Sequence, residues 1–170
     1  DANEGGIRVP FIVVGPGIKK NVESKSIISF SDILPTIIDL AGKKIKDNKY
    51  LDGGSLKSVF ENHKKTKVKR NIDGLFFHVP YENGIALKRA HSAVILENFK
   101  LMKFYDNGQL MLFDLDIDLA EKTDLFSINI NKALELELLL DNYLKKVKAP
   151  KWKPGIHWRN KPIKLINSFH

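Results

Sequence analysis

Apolar residues run almost without interruption through one segment near the amino terminus. Residues 7–14 are mostly β-branched or otherwise apolar, and Gly15-Pro16-Gly17 ends the run. This pattern is typical of a strand that is buried on both faces. The sequence therefore predicts a central strand of an α/β sheet over residues 7–14.

A helical pattern follows this predicted strand. Ser29 or Ser31 is placed to cap a helix, Pro35 falls in its first turn, and Gly42 is placed to end it. The apolar positions that share one helical face are Ile33, Leu34, Ile37, Ile38 and Ala41. Because strand followed by helix is the repeating unit of α/β domains, we expect residues 1–72 to be part of such a domain.

The second half of the chain has the pattern of an antiparallel sheet. Residues 75–79 and 92–96 are short strand candidates, and residues 99–105 and 110–115 flank an Asn-Gly pair at 107–108. Asn-Gly suits a two-residue turn, since both central residues of that turn need a positive φ. The pattern thus predicts a β-hairpin with a two-residue turn.

A helix is predicted over residues 131–148. Its apolar face comprises Ala133, Leu136, Leu140, Tyr143, Leu144 and Val147. The polar stretch 43–73 separates the two halves. We therefore divide the chain into the end of an α/β domain (1–72), an α+β subdomain of an antiparallel sheet and one helix (73–148), and a basic tail (149–170).

Composition narrows the class of protein. The chain has 170 residues, of which 43% are hydrophobic and 28% charged, as in ordinary globular domains. No apolar run approaches the ~20 residues of a membrane span, so we expect no membrane-spanning segment. Cysteine is absent, which excludes thiolate metal sites and cysteine nucleophiles from these residues. The first residues lack both an initiator Met and a signal-like region, so we expect a piece of a longer chain.

The net charge of +8 favours anionic partners. Basic residues concentrate at 64–70 and from residue 145 onward. Neither cluster has the aromatic spacing of an RNA-binding sheet or the pattern of a helix-turn-helix. We interpret them as a solvated linker and a loose terminus, and we expect no nucleic-acid partner.

Two apparent motifs fail on counting. Asp114, Asp116 and Asp118 alternate like the start of an EF-hand loop, but Leu119 and Leu125 stand where that loop needs Gly and Glu. The alternation fits a strand that runs into a turn, with its acids in water. Likewise, the Gly15 turn lacks the third glycine of a dinucleotide-binding loop.

His78 is the histidine whose position is most informative. It lies at the end of an apolar strand, just before Val79-Pro80-Tyr81, whereas His63, His157 and His170 lie in polar or terminal segments. Side chains at strand ends often bind ligands. A histidine that hydrogen-bonds locally is the alternative, and position alone leaves both open.

Several segments together resemble the later half of type I sulfatases of the alkaline phosphatase superfamily. These are Glu4-Gly5-Gly6-Ile7-Arg8-Val9-Pro10, residues 31–42 (SDILPTIIDLAG), Asp52-Gly53-Gly54-Ser55-Leu56, residues 75–81 (LFFHVPY), and residues 112–115 with 121–125 (LFDL and EKTDL). The similarity extends from residue 4 to about residue 147 in the family's order. Bacterial carbohydrate sulfatases have the most similar pattern.

This resemblance implies the end of an alkaline-phosphatase-like α/β sheet domain with a small α+β subdomain. It also implies hydrolysis of sulfate esters by a formylglycine nucleophile beside a calcium ion, with a sulfated carbohydrate as substrate and a periplasmic or secreted location. The family's nucleophile, its metal ligands and a sulfate-contacting lysine precede the segment at Glu4, so we expect no catalytic residue and no metal ligand in this chain. His78 matches a substrate-facing histidine. Arg8 and Glu4 are expected to form a structural ion pair, and Gly5 and Gly6 to provide a tight backbone.

Two other functions stay open at this point. The chain could instead be part of another hydrolase of the superfamily, such as a phosphodiesterase, or a non-catalytic module that binds polyanions through its basic clusters. The oligomeric state is not readable from the sequence.

Overall fold

The computed structural model describes residues 1–44, 50–62, 66–82 and 89–151. Its elements in chain order are α1 (Glu4–Ile7), a 3-10 turn (Phe30–Asp32), α2 (Ile33–Leu40), α3 (Lys57–Asn62), β1 (Leu75–Val79), β2 (His91–Leu96), β3 (Phe99–Phe104), β4 (Leu110–Asp114) and α4 (Ile130–Lys146). No helix in these ranges is both long enough and apolar enough to cross a bilayer.

The four strands form one antiparallel sheet in the order β1-β2-β3-β4. Each strand is followed in the chain by its neighbour in the sheet, so every pairing is a hairpin connection. Side chains alternate between the two faces, and each face has a different covering. The predicted antiparallel sheet is confirmed.

Helix α4 covers one face of the sheet. Its residues Ala133, Leu136 and Leu140 are fully buried with Leu101 of β3 and Leu112 of β4. Because of the helical period, these three positions form one stripe along α4. This stripe packs on the strand residues that the two-residue alternation places on the same face of the sheet. The predicted α+β subdomain is thus confirmed, although Val147, placed on the apolar face by sequence, is half exposed.

The first residues of the chain cover part of the other face. Ala2 is fully buried with Ala93, Met102, Phe104 and Phe113. This face points away from α4, because these positions alternate with those that contact the helix. The sheet is therefore the middle layer between α4 and the amino-terminal segment.

The strand predicted over residues 7–14 is wrong in this structure. The chain makes one helical turn at α1 and then continues without strand pairing to residue 14. Ile12 and Val14 are 85% and 88% exposed. A strand buried on both faces needs hydrogen-bonded neighbours, and no described residue provides one here.

The predicted helix near residue 33 is confirmed as α2. Ser29 caps the preceding 3-10 turn: its hydroxyl accepts from the amide of Ser31, and its own amide donates to Asp32. Gly42 ends the helix with a φ of 67°, a conformation that glycine adopts without strain.

The loop at residues 52–56 packs against α2. The amide of Leu56 donates to the Thr36 hydroxyl at 2.9 Å, and the Ser55 hydroxyl donates to Asp39 at 2.6 Å. Gly53 and Gly54 lie directly against backbone carbonyls of neighbouring segments, where a Cβ would collide. Close backbone approach therefore accounts for the two adjacent glycines.

The hairpin between β3 and β4 is confirmed, but its predicted two-residue turn is wrong. The amide of Phe104 donates to the carbonyl of Gln109, so the turn contains the four residues 105–108. Only Gly108 takes a positive φ there, at 72°. Arg89 holds this longer turn through a bidentate pair with Asp106 and stacks on Phe104 at 4.0 Å from the ring centroid, contacts that local sequence does not reveal.

Candidate functional site

His78 lies on the α4 side of the sheet, with both ring nitrogens hydrogen-bonded. Nε2 is 2.7 Å from the carbonyl oxygen of Pro150, and Nδ1 is 2.6 Å from the hydroxyl of Ser92. Since a carbonyl only accepts, Nε2 carries the proton and, in the neutral ring, Nδ1 accepts from Ser92. The Ser92 oxygen in turn accepts from the Tyr105 hydroxyl at 2.7 Å.

The surroundings of this network shift the pKa values of Tyr105 and of the nearby Lys103. Burial raises the pKa of Tyr105, and the hydrogen bond to Ser92 opposes that rise only partly. Nearby, burial lowers the pKa of Lys103, but the carboxylates of Asp141 and Glu137 outweigh it and leave the pKa raised. His78 has the local partners of a structural histidine, while a substrate contact through Nε2 would require the Pro150 carbonyl to move aside.

The opposite face of the sheet binds the backbone of the amino-terminal segment. The amide of Ala2 donates to Nε2 of His91 at 3.0 Å, and the amide of Glu4 donates to Glu121 Oε2 at 2.8 Å. His91 is fully buried at the start of β2, and its Nδ1 lies 2.6 Å from the carbonyl of Arg89. That carbonyl fixes the tautomer, because Nδ1 must donate and Nε2 is left as an acceptor.

A buried ion cluster lies beside these contacts. Lys100 of β3 is fully buried, and its Nζ lies 3.0 Å from Glu4 Oε1 and 2.7 Å from Glu121 Oε1. Arg8 approaches Glu4 Oε2 at 3.3 Å from the solvent side. The expected pair of Arg8 and Glu4 is therefore confirmed, but the main partner of Glu4 is Lys100.

A groove of about 670 Å³ adjoins this cluster. Asn3 and Arg8 of the amino-terminal segment line it together with Met111 of β4 and Leu119 of the turn after β4. The tight backbone expected of the two glycines is found at Gly6, where a Cβ would meet the Asp1 side chain, whereas nothing crowds Gly5.

The described residues offer no calcium site. Within ranges 1–44, 50–62, 66–82 and 89–151, no three Asp, Glu or His side chains converge as metal ligands would. Asp114 accepts from Asn98 and from the amide of Asp116, while Asp118 accepts from the amides of Lys122 and Thr123. These carboxylates stabilise the turn after β4 through these hydrogen bonds.

The basic cluster at 64–70 is only partly what the sequence suggested. Arg70 is not a solvated linker residue: it makes a bidentate pair with the fully buried Asp32 and donates to the carbonyl of Ile27. Lys67 is exposed near Glu97, and residues 63–65 lie outside the described ranges. Most of the basic tail, residues 152–170, lies outside them as well.

Sequence reasoning missed three residues that the structure brings together: His91, Lys100 and Glu121. One signal was available, since Lys100 occupies an inward position in a strand whose alternate residues are apolar. Only the three-dimensional structure reveals its partners, because Glu4 and Glu121 are distant in sequence.

Comparison with known proteins identifies the family. The family model described as "N-sulphoglucosamine sulphohydrolase, C-terminal" matches residues 2–149. The chain therefore belongs to the N-sulphoglucosamine sulphohydrolase carboxy-terminal family. The resemblance to sulfatases that the sequence motifs indicated is thereby confirmed.

Two proteins that are similar in sequence are named as sulfatases. Arylsulfatase K of Mus musculus is 30% identical over 166 residues, which are 93% of this chain and 28% of that protein. A sulfatase of Formosa agariphila is 29% identical over 153 residues, 84% of this chain and 27% of that protein. The chain thus spans less than a third of these relatives.

A solved structure has the same fold over most of the chain. BT4656, solved in complex with its substrate D-glucosamine-2-N,6-O-disulfate, superposes with a TM-score of 0.51 at 28% identity. The match covers 69% of this chain and 24% of that one. The α/β class and the antiparallel sheet backed by a helix are therefore shared with this solved structure.

Proposed function

We propose that this chain is the carboxy-terminal portion of a sulfatase that hydrolyses sulfate esters of a sulfated carbohydrate. The observation that carries the proposal is the family match over residues 2–149. The structure supports it, because Glu4, Arg8 and Glu121, which belong to the segments that resemble sulfatases, form one connected ion cluster through Lys100.

The substrate class rests on two further observations. A neighbour of 28% identity was solved with a disulfated glucosamine, and this chain carries a net charge of +8. Positive charge attracts polyanions over long range and raises their local concentration. A sulfated oligosaccharide or polysaccharide is therefore the substrate class we propose, with His78 as its one candidate contact in this chain.

The chemistry would come from residues outside this chain. In sulfatases a formylglycine supplies the nucleophile, and a calcium ion stabilises charge on the sulfate group. The described residues do not fit that calcium ion, so no step of hydrolysis is assigned to them. The role we propose for this portion is to complete the fold and to hold segments that border the site. We also propose the periplasmic or secreted location that the family implies, which cell fractionation tests.

The polyanion-binding module is the weaker alternative. Arg70, one of the basic residues on which it depends, is taken up by the buried pair with Asp32. A module of this kind would bind through charge, so its affinity would collapse as the salt concentration rises.

The test is an assay of the full-length protein. We expect it to release inorganic sulfate from a panel of sulfated mono- and oligosaccharides, with a phosphodiester substrate as the matched control. The same panel gives the preferred sugar and sulfate position. Turnover of the phosphodiester without sulfate release would replace the proposal by the phosphodiesterase alternative, and salt-sensitive binding without any turnover would favour the module.

A further inference from the structure

We infer that His91, Lys100 and Glu121 act as positioning residues that fix the backbone of residues 1–8 on the sheet and thereby orient the border of the sulfate site. That the bordered site binds sulfate rests on the proposed function. The clamp itself, which we define as these three side chains and their contacts to residues 2–8, rests on geometry alone.

The clamp accepts hydrogen bonds from two backbone amides that are two residues apart, those of Ala2 and Glu4. Ala2 donates to His91 at 3.0 Å, and Glu4 donates to Glu121 at 2.8 Å. These acceptors come from β2 and from the loop after β4. Two fixed amides so close together set both the position and the direction of the chain, which a single contact would not do. The amides of Gly6 and Arg8 donate to the carbonyls of Asn3 and Glu4, respectively. These helical hydrogen bonds extend the ordered backbone through α1.

Each of the two acceptors has a further contact that fixes its place. His91 accepts only as the neutral tautomer that its bond to the Arg89 carbonyl selects. The charged side chains that face it are Lys100 and Arg89, both of which are positive and disfavour a second proton. Glu121 lies beside Lys100, with Oε1 2.7 Å from Nζ.

The composition of the cluster favours a positioning role over a stabilising one. Lys100 and Arg8 balance the carboxylates of Glu4 and Glu121, but Lys100 is fully buried. Burying such charges costs desolvation energy that their attraction only partly offsets, and apolar side chains of similar size often stabilise as well or better. What Lys100 adds is a hydrogen bond from Nζ to Glu4 Oε1 at 3.0 Å, which ties the Glu4 side chain to β3.

The experiment compares two lysines of the same strand in the full-length protein. Lys100→Met removes the centre of the clamp. Lys103→Met is the matched control, since Lys103 pairs with Glu137 and Asp141 of α4 on the opposite face. Both variants lose buried or half-buried ion pairs, so thermal stability should fall in both. At a temperature where each is fully folded, Lys100→Met should lower kcat for sulfate release by about 10- to 100-fold, whereas Lys103→Met should leave kcat near that of the parent.

A second pair of variants covers the case in which Lys100→Met does not fold. His91→Phe removes the acceptor, whereas His91→Gln keeps an amide oxygen that can accept from Ala2 and an NH₂ that can donate to the Arg89 carbonyl. We expect His91→Phe to lose kcat and His91→Gln to recover most of it. Equal kcat for His91→Phe and His91→Gln, or for Lys100→Met and Lys103→Met, would overturn the positioning role.

Hydrogen exchange separates this inference from the proposed function. The amides of Ala2 and Glu4 should exchange faster in Lys100→Met than in Lys103→Met, whatever the protein hydrolyses. Unchanged exchange would reject the clamp even in an active sulfatase. Faster exchange in a protein that releases no sulfate from any substrate would keep the clamp and reject the function.

Discussion

Arg70 holds Asp32 by two hydrogen bonds, from Nε to Oδ1 at 2.8 Å and from Nη2 to Oδ2 at 2.7 Å. Asp32 is fully buried, and it also accepts from the amide of Gly54 at 2.9 Å. This one carboxylate therefore joins the start of α2, the loop at residues 52–56 and the segment before β1.

We expect Arg70→Ala to destabilise the full-length protein by about 3–5 kcal/mol, because it leaves the buried carboxylate of Asp32 without its partner. Lys67→Ala is the control: Lys67 is exposed and 4.0 Å from Glu97, and such surface pairs contribute about 0–1 kcal/mol. Urea unfolding of both variants measures the difference. Similar losses for the two would contradict the importance of the buried pair.

Acid should destabilise the protein through His91. Burial, the largest cause, lowers the pKa of His91 below its usual 6.5, so the unfolded chain binds a proton that the folded chain does not. Above pH 6.5, His91 therefore does not change the free energy of unfolding. As the pH falls from 6.5 toward the lowered pKa, the free energy of unfolding decreases by at most about 1.4 kcal/mol per pH unit.

Unfolding of the parent and of His91→Gln at about pH 7.5 and about pH 5.5 checks this prediction. The other four histidines of this chain are the same in both proteins, so the difference between the two proteins isolates His91. An identical loss on acidification would show that His91 is not responsible.

His78 separates two roles by kinetics. If it contacts substrate, His78→Ala should lower kcat/KM of the full-length enzyme on its sulfated substrate, mainly through KM where the contact is equal in ground and transition states. If its bonds to Ser92 and Pro150 are its whole role, the loss should be about 1–3 kcal/mol of stability with unchanged kinetics. Tyr105→Phe, which removes the hydroxyl bonded to Ser92 but keeps His78, should affect stability alone; an unchanged kcat/KM in His78→Ala would remove His78 from the site.

The chain produced alone should aggregate or behave as a loosely packed state. Ile12, Val14, Phe30 and Ile37 are 85%, 88%, 77% and 59% exposed, which is a large apolar surface for a chain of this size. We expect binding of a hydrophobic dye and a broad thermal transition, with less dye bound after Ile12→Lys. A sharp cooperative melt of a monomer would argue that the exposed residues need no partner.

The chain alone should also be inactive. We expect no turnover of a chromogenic aryl sulfate above a buffer blank and no specific calcium binding by titration calorimetry, since the resemblance implies that the residues used for both precede Glu4. Measurable turnover by the purified 170-residue chain would show that it contains a nucleophile of its own.

Sequence alone determined the elements whose partners lie nearby in the chain. The strands, α2 and α4 were predictable because their alternation, helical spacing and caps are local properties of the sequence. The family was predictable because its motifs occur in order. The division at residues 72–73 and the role of His78 stay predictions.

Tertiary structure alone decided the rest, for a physical reason. Residues 7–14 have the sequence of a buried strand, but a strand forms only where neighbouring strands accept its hydrogen bonds. In the sequence Arg70 resembles a surface residue, and only the structure places it beside the buried Asp32. Lys100 is one of many lysines in the sequence, and only the fold brings Glu4, 96 residues away, and Glu121 to its buried charge. Contacts between residues so far apart in sequence depend on the whole packing and leave no local pattern.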